Sequence, residues 1–279
     1  FSETVEMVSK DDEERIGLMI ERIRKNKAMI WDLAVNDFAI KYAGSYFGIF
    51  WAFVQPIITI LVYWCVFEFG LKSTAPIPNV SYIVWFATGM IPWFFFSDAV
   101  NAVTNSFIEY SYLVKKVVFD IEFLPIVKII SNLFIHLFFV GLLVIISLAN
   151  GQKMTLHFIE VFYYMLCLIL FAYAIGKITS SIIVFFKDLG QIVNIVLQIG
   201  LWVTPIIWSY IIVPEKFQWI VKLNPVFYIV EGYRDSFIEG KWFFQKPLLT
   251  VYFWLFTSLL LIIGKVVFKK LKPHFADVL

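Results

Sequence analysis

EYSYLVKKVVFDIE, residues 109–122, separates two long apolar runs of the chain. This charged island is too short and too charged to span a bilayer, which takes about 20 largely apolar residues. It is also too apolar to be a flexible linker. Leu113, Val117 and Ile121 recur every four residues, so a helix here would have one apolar stripe beside the basic pair Lys115 and Lys116. The island therefore predicts a short amphipathic helix between two membrane segments.

The composition of the whole chain supports a membrane protein. Of its 279 residues 61% are hydrophobic and only 16% are charged. A soluble domain averages roughly 45–50% apolar and about 25% charged residues. The formal net charge is only +2, so bulk charge does not indicate a nucleic-acid partner.

Six stretches of the chain are apolar over the length that a helix needs to cross a bilayer. The six predicted spans are residues 46–71, 80–108, 124–149, 158–178, 189–212 and 248–268. The sequence therefore predicts an all-α integral membrane protein with six transmembrane helices. An even number of crossings places both termini on the same side.

Positive charge is divided unequally between the two sides of these spans. Sixteen Lys and Arg residues lie on the side of the termini and seven on the other side. An excess of Lys and Arg marks the cytoplasmic side of a membrane protein. We therefore expect a multi-pass protein with both termini in the cytoplasm.

The first part of the chain differs from the rest. We expect residues 1–41 to form a cytoplasmic segment and residues 42–279 to form a single six-span domain. Within the first, residues 12–31 have apolar residues at helical spacing. Their positive charges are Arg15, Arg22, Arg24, Lys25 and Lys27. This pattern predicts an amphipathic helix that lies on an anionic membrane surface, or else an ordinary surface helix packed on protein.

The connection between the fifth and sixth predicted spans, residues 213–247, is too polar to be a further span. Pro214 and Pro225 can each open a helix, and Asn224 is a favourable N-cap before Pro225. We expect two short amphipathic helices on the outer side, which could dip back into the membrane. The residues of the second helix that face away from its apolar side are Glu231, Arg234 and Asp235.

Polar residues recur along one face of four predicted spans. These stripes are Gln55, Thr59 and Tyr63; Asp98, Asn101, Asn105 and Glu109; Lys128, Asn132 and His136; and Gln191, Asn194, Gln198 and Trp202. Polar side chains at bilayer depth are costly, so their alignment is informative. The stripes predict either faces that line a polar conduit or hydrogen bonds between the helices of a bundle.

Aromatic residues also gather near the outer ends of the spans. They either form the interfacial belt of a membrane protein or serve as stacking platforms for sugar rings. The candidates for a pore or a substrate site, aromatic and polar together, are Tyr63, Trp85, Trp93, Phe94, Asp98, Asn101, Asn194, Gln198 and Trp202.

The sequence has no motif for catalysis. The nearest approach to a Walker A motif is Gly176-Lys177, which lacks the following Ser or Thr. The three histidines form no HExxH-like metal pair, and no GxSxG elbow occurs. We expect no catalytic residue, metal site or cofactor in this chain. A membrane protein with a polar conduit and no ATPase motif is either a passive channel or one subunit of an energy-driven transporter.

Five segments resemble bacterial polysaccharide ABC export permeases, the family of O-antigen and teichoic-acid exporters. They are KYAGSYFGIFWAFVQP (41–56), TGMIPWFFFSDAV (88–100), YLVKKVVFDIEFLP (112–125), FFKDLGQIVNIVLQIGLWVTPIIW (185–208) and LNPVFYIVEGYRD (223–235). The resemblance runs in order from about Asp32 onward.

The resemblance implies a homodimer with the pore at its interface in the plasma (inner) membrane, and two ATPase subunits that bind ATP and Mg on the cytoplasmic face. The cargo would be a glycan carried on a polyprenyl pyrophosphate lipid. The island would be the coupling helix seated in the ATPase, with contacts from Tyr112, Leu113, Lys115, Lys116, Val117, Phe119 and Asp120. The helix at residues 12–31 would lie at the membrane surface beside it. The outer gate would include Asn224, Pro225, Tyr228, Glu231, Tyr233 and Arg234.

Two other functions fit the same pattern. A type-2 ABC exporter of drugs or lipids would share the architecture. A polytopic membrane transferase would need clustered carboxylates or a His–Asp pair, and only Asp98 and Glu109 are intramembrane candidates. One polar stripe explains both carboxylates without catalysis.

Overall fold

The computed structural model describes Glu21 and residues 24–114, 120–153 and 155–279, and every regular element within these residues is helical. The α-helices in chain order are α1 (residues 24–41), α2 (Trp51–Trp64), α3 (Tyr82–Glu109), α4 (Ser111–Val114), α5 (Leu124–Ala149), α6 (Glu160–Ile183), α7 (Leu189–Val203), α8 (Gln218–Lys222), α9 (Pro225–Arg234), α10 (Pro247–Leu271) and α11 (Phe275–Val278). Single turns of 3₁₀ or π helix extend several of them.

Five helical stretches of the described chain are long and apolar enough to cross a membrane. They are Gly48–Gly70, Tyr82–Glu109, Ile121–Ala149, Leu156–Ile183 and Pro247–His274. They match five of the six predicted spans, with ends that differ by up to six residues. Over the residues that the structure describes, the predicted class of an all-α integral membrane protein is confirmed.

The remaining predicted span, residues 189–212, is not a continuous helix. α7 has 15 residues, which gives about 22 Å of length against the ~30 Å of a bilayer core. It ends because Thr204 precedes Pro205, and a residue before proline is driven into the extended region (φ −77°, ψ 134°). The prediction of one helix to Ile212 is wrong, and the described helices supply five candidate spans rather than six.

α3 is the central helix of the bundle. It contacts α2, α5, α6, α7 and α9. In its most apolar window 78% of the residues are buried, against 11% for the stretch that contains α2, so α3 is enclosed by protein and α2 lies at the periphery. Gly176 lets α6 approach closely, because a Cβ at this position would lie 2.4 Å from Cγ1 of Val103 in α3.

α1 packs against the start of α5 rather than standing alone. Ile30 and Ala34 are buried in a cluster with Phe123 and Val127. The basic residues on the described part of this helix, Arg24, Lys25 and Lys27, are exposed, whereas Arg15 and Arg22 lie outside the described residues. α1 continues ten residues beyond the predicted end at Trp31. Its described part therefore has the contacts of a surface helix packed on protein.

The charged island is partly described. α4 covers its start and a 3₁₀ turn, Ile121–Phe123, covers its end. Leu113 and Ile121 both pack on one apolar group, the island cluster. The buried members of this cluster are Phe107, Tyr110, Ile121, Leu124, Val184, Phe268 and Phe275. The apolar stripe predicted for the island thus joins it to the ends of α3, α5 and α10.

Candidate functional site

The polar stripe of α3 lines a cavity of about 400 Å³, which we term the island chamber. Its walls are Asp37, Ile40, Lys41, Asp98, Asn101, Ala102, Asn105, Glu109, Lys128 and Asn132. The spacing of 3, 4 and 4 residues along α3 places four polar side chains on one helix face. α1 and α5 line its other sides, so the chamber draws polar residues from three helices.

A charge cluster of Asp37, Glu109 and Lys128, of which Asp37 and Lys128 are buried, forms one wall of this chamber. Lys128 on α5 donates hydrogen bonds to Glu109 at the end of α3 and, over 2.6 Å, to Asp37 on α1. Tyr110 donates its hydroxyl proton to the same Asp37 oxygen over 2.8 Å. Burial and this hydrogen bond raise the pKa of Tyr110. Because Asp37 and Lys128 are both buried, their pairing ties α1 to the bundle where the island begins.

Lys41 is the second cation of the island chamber. Its ammonium lies 3.4 Å from the side-chain oxygen of Asn132 and 5.8 Å from the ring centroid of Tyr42. Lys41 is exposed to the chamber, unlike Lys128. The chamber therefore contains three carboxylates and two ammonium groups, and only the ammonium of Lys41 is accessible to a ligand.

A second cavity of about 320 Å³ continues along α3, and we term it the aromatic chamber. Its walls are Thr59, Tyr63, Met90, Trp93, Phe94, Ser97, Asp98, Asn101, Asn194, Leu197, Gln198 and Leu201. Asp98 and Asn101 line both cavities, so the chambers adjoin at these two residues. The stripes of α2, α3 and α7 face one space.

Seven of the nine candidate pore residues therefore line the chambers. Trp85 does not, because its ring is buried and lies 4.0 Å below the guanidinium carbon of Arg234. Trp202 does not either; it is 57% exposed on α7, and its carbonyl accepts a hydrogen bond from the Trp208 indole. Trp93 is almost fully buried, with its ring edge against Gly200 of α7, so packing explains most of its surface.

The helices predicted for residues 213–247 are present as α8 and α9. Asn224 caps α9, since its side-chain oxygen accepts a hydrogen bond from the Val226 amide, and Pro225 is the first helical residue. The predicted polar face of α9 is present, but Glu231, Arg234 and Asp235 are each no more than 6% exposed. The prediction that α9 is amphipathic with an exposed polar side is therefore wrong.

The polar face of α9 is buried because it supplies hydrogen-bond donors to backbone carbonyls just after α7 ends. Arg234 donates to the carbonyls of Pro205 and Ile206 and pairs with Glu231 over 2.7 Å. Helix termination leaves these carbonyls without helical partners, and an unpaired buried carbonyl is costly. Arg234 is thus a structural anchor for the non-helical segment between α7 and α8.

The remaining outer-gate residues also contact neighbouring helices. The Tyr233 hydroxyl lies 2.8 Å from Nε2 of His136 on α5. The Tyr228 hydroxyl lies 2.9 Å from that of Tyr163 and 3.0 Å from Oγ1 of Thr250. His136, predicted as part of a conduit stripe, therefore serves as a contact between α5 and α9.

Four of the seven coupling residues, Lys115, Lys116, Val117 and Phe119, lie outside the described residues. Tyr112 is exposed and Leu113 packs on the island cluster. Asp120 caps the 3₁₀ turn by accepting from the Glu122 amide, and its carboxylate lies 3.5 Å from the ammonium of Lys272. Within the described residues, no three His, Cys, Asp or Glu side chains are arranged to hold a metal ion.

Two charged residues of the island chamber, Asp37 and Lys41, lie in the predicted N-terminal segment, residues 1–41. The sequence does not predict either of them as part of a polar conduit. Their spacing of four residues places both on one face of α1, directly before an apolar run. That pairing of opposite charges is the only local signal, and it does not identify α5 as the partner.

Comparison with known proteins agrees with this architecture. The sequence profile of the family described as ABC-2 type transporter matches residues 30–238. The chain is 26% identical over 264 residues to an O-antigen export system permease protein RfbA from Klebsiella pneumoniae, an alignment that covers 92% of this chain and 99% of that protein. A protein of the same name from Myxococcus xanthus is 24% identical over 84% of this chain and 89% of its own length. The polysialic acid transport protein KpsM of Escherichia coli is 20% identical over 87% of this chain and 93% of its own length.

Proposed function

The chain belongs to the ABC-2 type transporter family, and from this membership we propose that it is the transmembrane subunit of an ATP-driven exporter of lipid-linked polysaccharide, of the O-antigen or teichoic-acid type, in the bacterial plasma membrane. The observation that carries the proposal is the near full-length similarity to permeases named for O-antigen export. The two polar chambers along α3 give this activity a physical basis, because sugar hydroxyls need hydrogen-bonding partners inside the membrane.

The exporter would contain two copies of this chain. Asn194, Gln198 and Gln191 are exposed along α7, beside the aromatic chamber. Exposed carboxamides on a membrane helix are costly against lipid, so a second copy or water must cover them. A dimer that pairs these faces would enclose the chambers as one pore. Within each copy, α7 and the segment after it would together form the sixth span.

ATP hydrolysis would occur on two separate ATPase subunits at the cytoplasmic face, since this sequence has no Walker A motif. We place both termini and the charged island on that face. ATP binding would close the ATPases and displace the island. Leu113 and Ile121 would pass this movement to the island cluster, and Glu109 would pass it to Lys128 and α1.

The lipid carrier of the glycan would enter beside α1. The exposed basic residues of this helix, with Lys41 at the island chamber, would attract the pyrophosphate of a polyprenyl carrier. The outer gate would be α8 and α9, with the Arg234 anchor holding the segment after α7 in its closed position. Opening would require those buried hydrogen bonds to exchange.

The coupling role is tested by reversing the charge of the island. We expect the Lys115→Glu/Lys116→Glu variant to lower the ATPase activity of the reconstituted complex at least about tenfold. The basic pair would face an acidic cleft of the ATPase, and placing carboxylates against that cleft would cost several kcal/mol of binding free energy. The measurement is glycan-stimulated ATPase activity in proteoliposomes that contain this chain and its ATPase partner.

The matched control is Lys72→Glu/Lys153→Glu, which makes the same change in net charge at two exposed positions away from the island. Unchanged coupling in the island variant would exclude this segment as the docking site. Sugar transfer or ATP hydrolysis by the purified chain alone would contradict the transporter-subunit proposal itself.

A further inference from the structure

On the basis of the export function above, we propose that the cargo glycan carries no ionised acidic groups along its repeating units. This narrows the cargo to the O-antigen type, because a teichoic acid has a phosphate in every unit. The charge and hydrogen-bonding character of the two chambers lead to this substrate class. A permease for a polyanion needs cationic side chains along the path of the chain, because buried like charges repel strongly and unpaired charges are expensive in a membrane.

The aromatic chamber has no positive side chain among its twelve lining residues. Its one acidic residue is Asp98. The other polar groups are neutral hydroxyls and the carboxamides of Asn101, Asn194 and Gln198, which both donate and accept hydrogen bonds. Tyr63 and Phe94 add aromatic surface suited to the apolar faces of sugar rings. These groups match neutral hydroxyls and give a carboxylate no cation.

The island chamber does not compensate for this lack. Lys128 is buried between Asp37 and Glu109, so its charge is already paired. Lys41 is the one cation in the lining that stays accessible, and it shares the chamber with Asp98. Three carboxyl groups against two ammonium groups leave the lining without net positive charge. A glycan with a carboxylate on every residue would find no surplus cation for any unit that passes.

The single diphosphate of a lipid carrier differs from the repeating units. It passes once for each chain, and Lys41 supplies a cation for it at the island chamber. The inference concerns the many sugar units that follow. It separates this chain from a permease for a polyanion such as polysialic acid, the cargo named for a less similar relative.

The test compares two forms of one lipid-linked glycan in proteoliposomes that contain this chain and its ATPase partner. The first form is an uncharged glycan of the O-antigen type, and the second is the same glycan after oxidation of its primary alcohols to carboxylates. We expect the uncharged form to be exported at least about tenfold faster, because the field of a charged cleft changes local concentrations by this order. Equal rates, or faster export of the oxidised form, would overturn the charge preference while leaving the export function in place. If neither form moves, the export function fails, and the substrate class fails with it.

A variant at Asp98 assigns the preference to the chambers. Asp98→Asn should increase export of the oxidised form relative to the uncharged one, and Asp98→Lys should increase that ratio further. Glu215→Gln is the matched control, since it removes an exposed carboxylate on a 3₁₀ turn outside both chambers. An unchanged ratio in both Asp98 variants, with ATPase activity retained as evidence of folding, would overturn the proposal.

Discussion

Lys128 is held between two carboxylates with only 7% of its side chain exposed, and Asp37 is similarly buried. Charges this deep are stable only as a pair, because removing one leaves the other without solvation. The polar stripe in which Lys128 lies was recognisable from its four-residue spacing. Its partner was not, since Asp37 is 91 residues away on a helix whose docking depends on packing. Residue type and spacing predict a face, whereas a contact across helices needs the fold.

The pair predicts a strong coupling between two substitutions. Lys128→Met should destabilise the protein by about 3–5 kcal/mol, because it leaves the buried carboxylate of Asp37 without a cation. Asp37→Asn should cost less, because Glu109 still pairs with Lys128. The double variant should be less destabilised than the sum of the two. Thermal unfolding in detergent measures the four proteins of this cycle. Additive effects would contradict the buried pair, and Lys153→Met serves as the exposed control.

Asp235 predicts a pH dependence of stability. Burial raises its pKa to about 6, although the Lys246 ammonium opposes the shift. A carboxyl group whose pKa is higher in the folded state binds more protons there than in the unfolded state, so stability falls as the pH rises from about 4 to 6 and then levels off. A shift of about two pKa units changes the free energy of unfolding by about 3 kcal/mol at most.

The Asp235→Asn variant should therefore lack this contribution. Its melting temperature relative to that of the wild type should increase as the pH is raised from 4 to 6, and stay constant above. A difference that is independent of pH in this window would show that Asp235 is ionised throughout. Glu215→Gln, at an exposed carboxylate, should show no such trend.

At the scale of the element, capping residues and prolines predicted where a helix begins, whereas a continuous apolar run did not predict where a helix ends. Asn224 and Pro225 predicted the start of α9, because an N-cap and a first-turn proline act within a few residues. The stretch from Leu189 to Ile212 is apolar on average, so hydropathy alone extends α7 through a break at Thr204 that the following proline imposes. The buried face of α9 was unpredictable from sequence, since it depends on carbonyls that this break releases.

The close contact of α3 and α6 at Gly176 predicts that two glycine-to-alanine substitutions differ in their effect on stability. Gly176→Ala should destabilise the protein by about 1–3 kcal/mol, because its Cβ would overlap Val103 where α3 and α6 cross. Gly141→Ala on α5 should be neutral or stabilising, since nothing lies within 4 Å of its Cβ and alanine favours a helix. Thermal unfolding of both variants in detergent tests the crossing. Equal melting temperatures would contradict it.

At the scale of the whole molecule, one copy leaves its polar face incomplete. α7 exposes Asn194 and Gln198, whereas α10 exposes mainly apolar residues such as Leu255. The first surface suits a partner or water, and the second suits lipid. Sequence analysis predicted both helices as spans but did not distinguish their surroundings, because both are apolar in composition.

A cross-linking experiment distinguishes these surfaces. In a background where Cys65 and Cys167 are replaced by Ser and Ala, Asn194→Cys should form a disulfide between two copies in membranes under mild oxidation. Leu255→Cys on α10 should remain monomeric at the same expression level. The measurement is the dimer band on a non-reducing gel. A cross-link at residue 255 in place of residue 194 would contradict the proposed dimer.

The enclosure of α3 also has a consequence for the order of synthesis. This helix leaves the ribosome early with Asp98 near its middle, and insertion of a carboxylate at the centre of a membrane helix costs about 2.5–3.5 kcal/mol. The helices that enclose it come later, and α9 is complete only about 125 residues after Glu109. At about 5–20 residues per second this interval lasts roughly 6–25 seconds. During this time α3 depends on the insertion machinery for the protection that α5, α6 and α9 later provide.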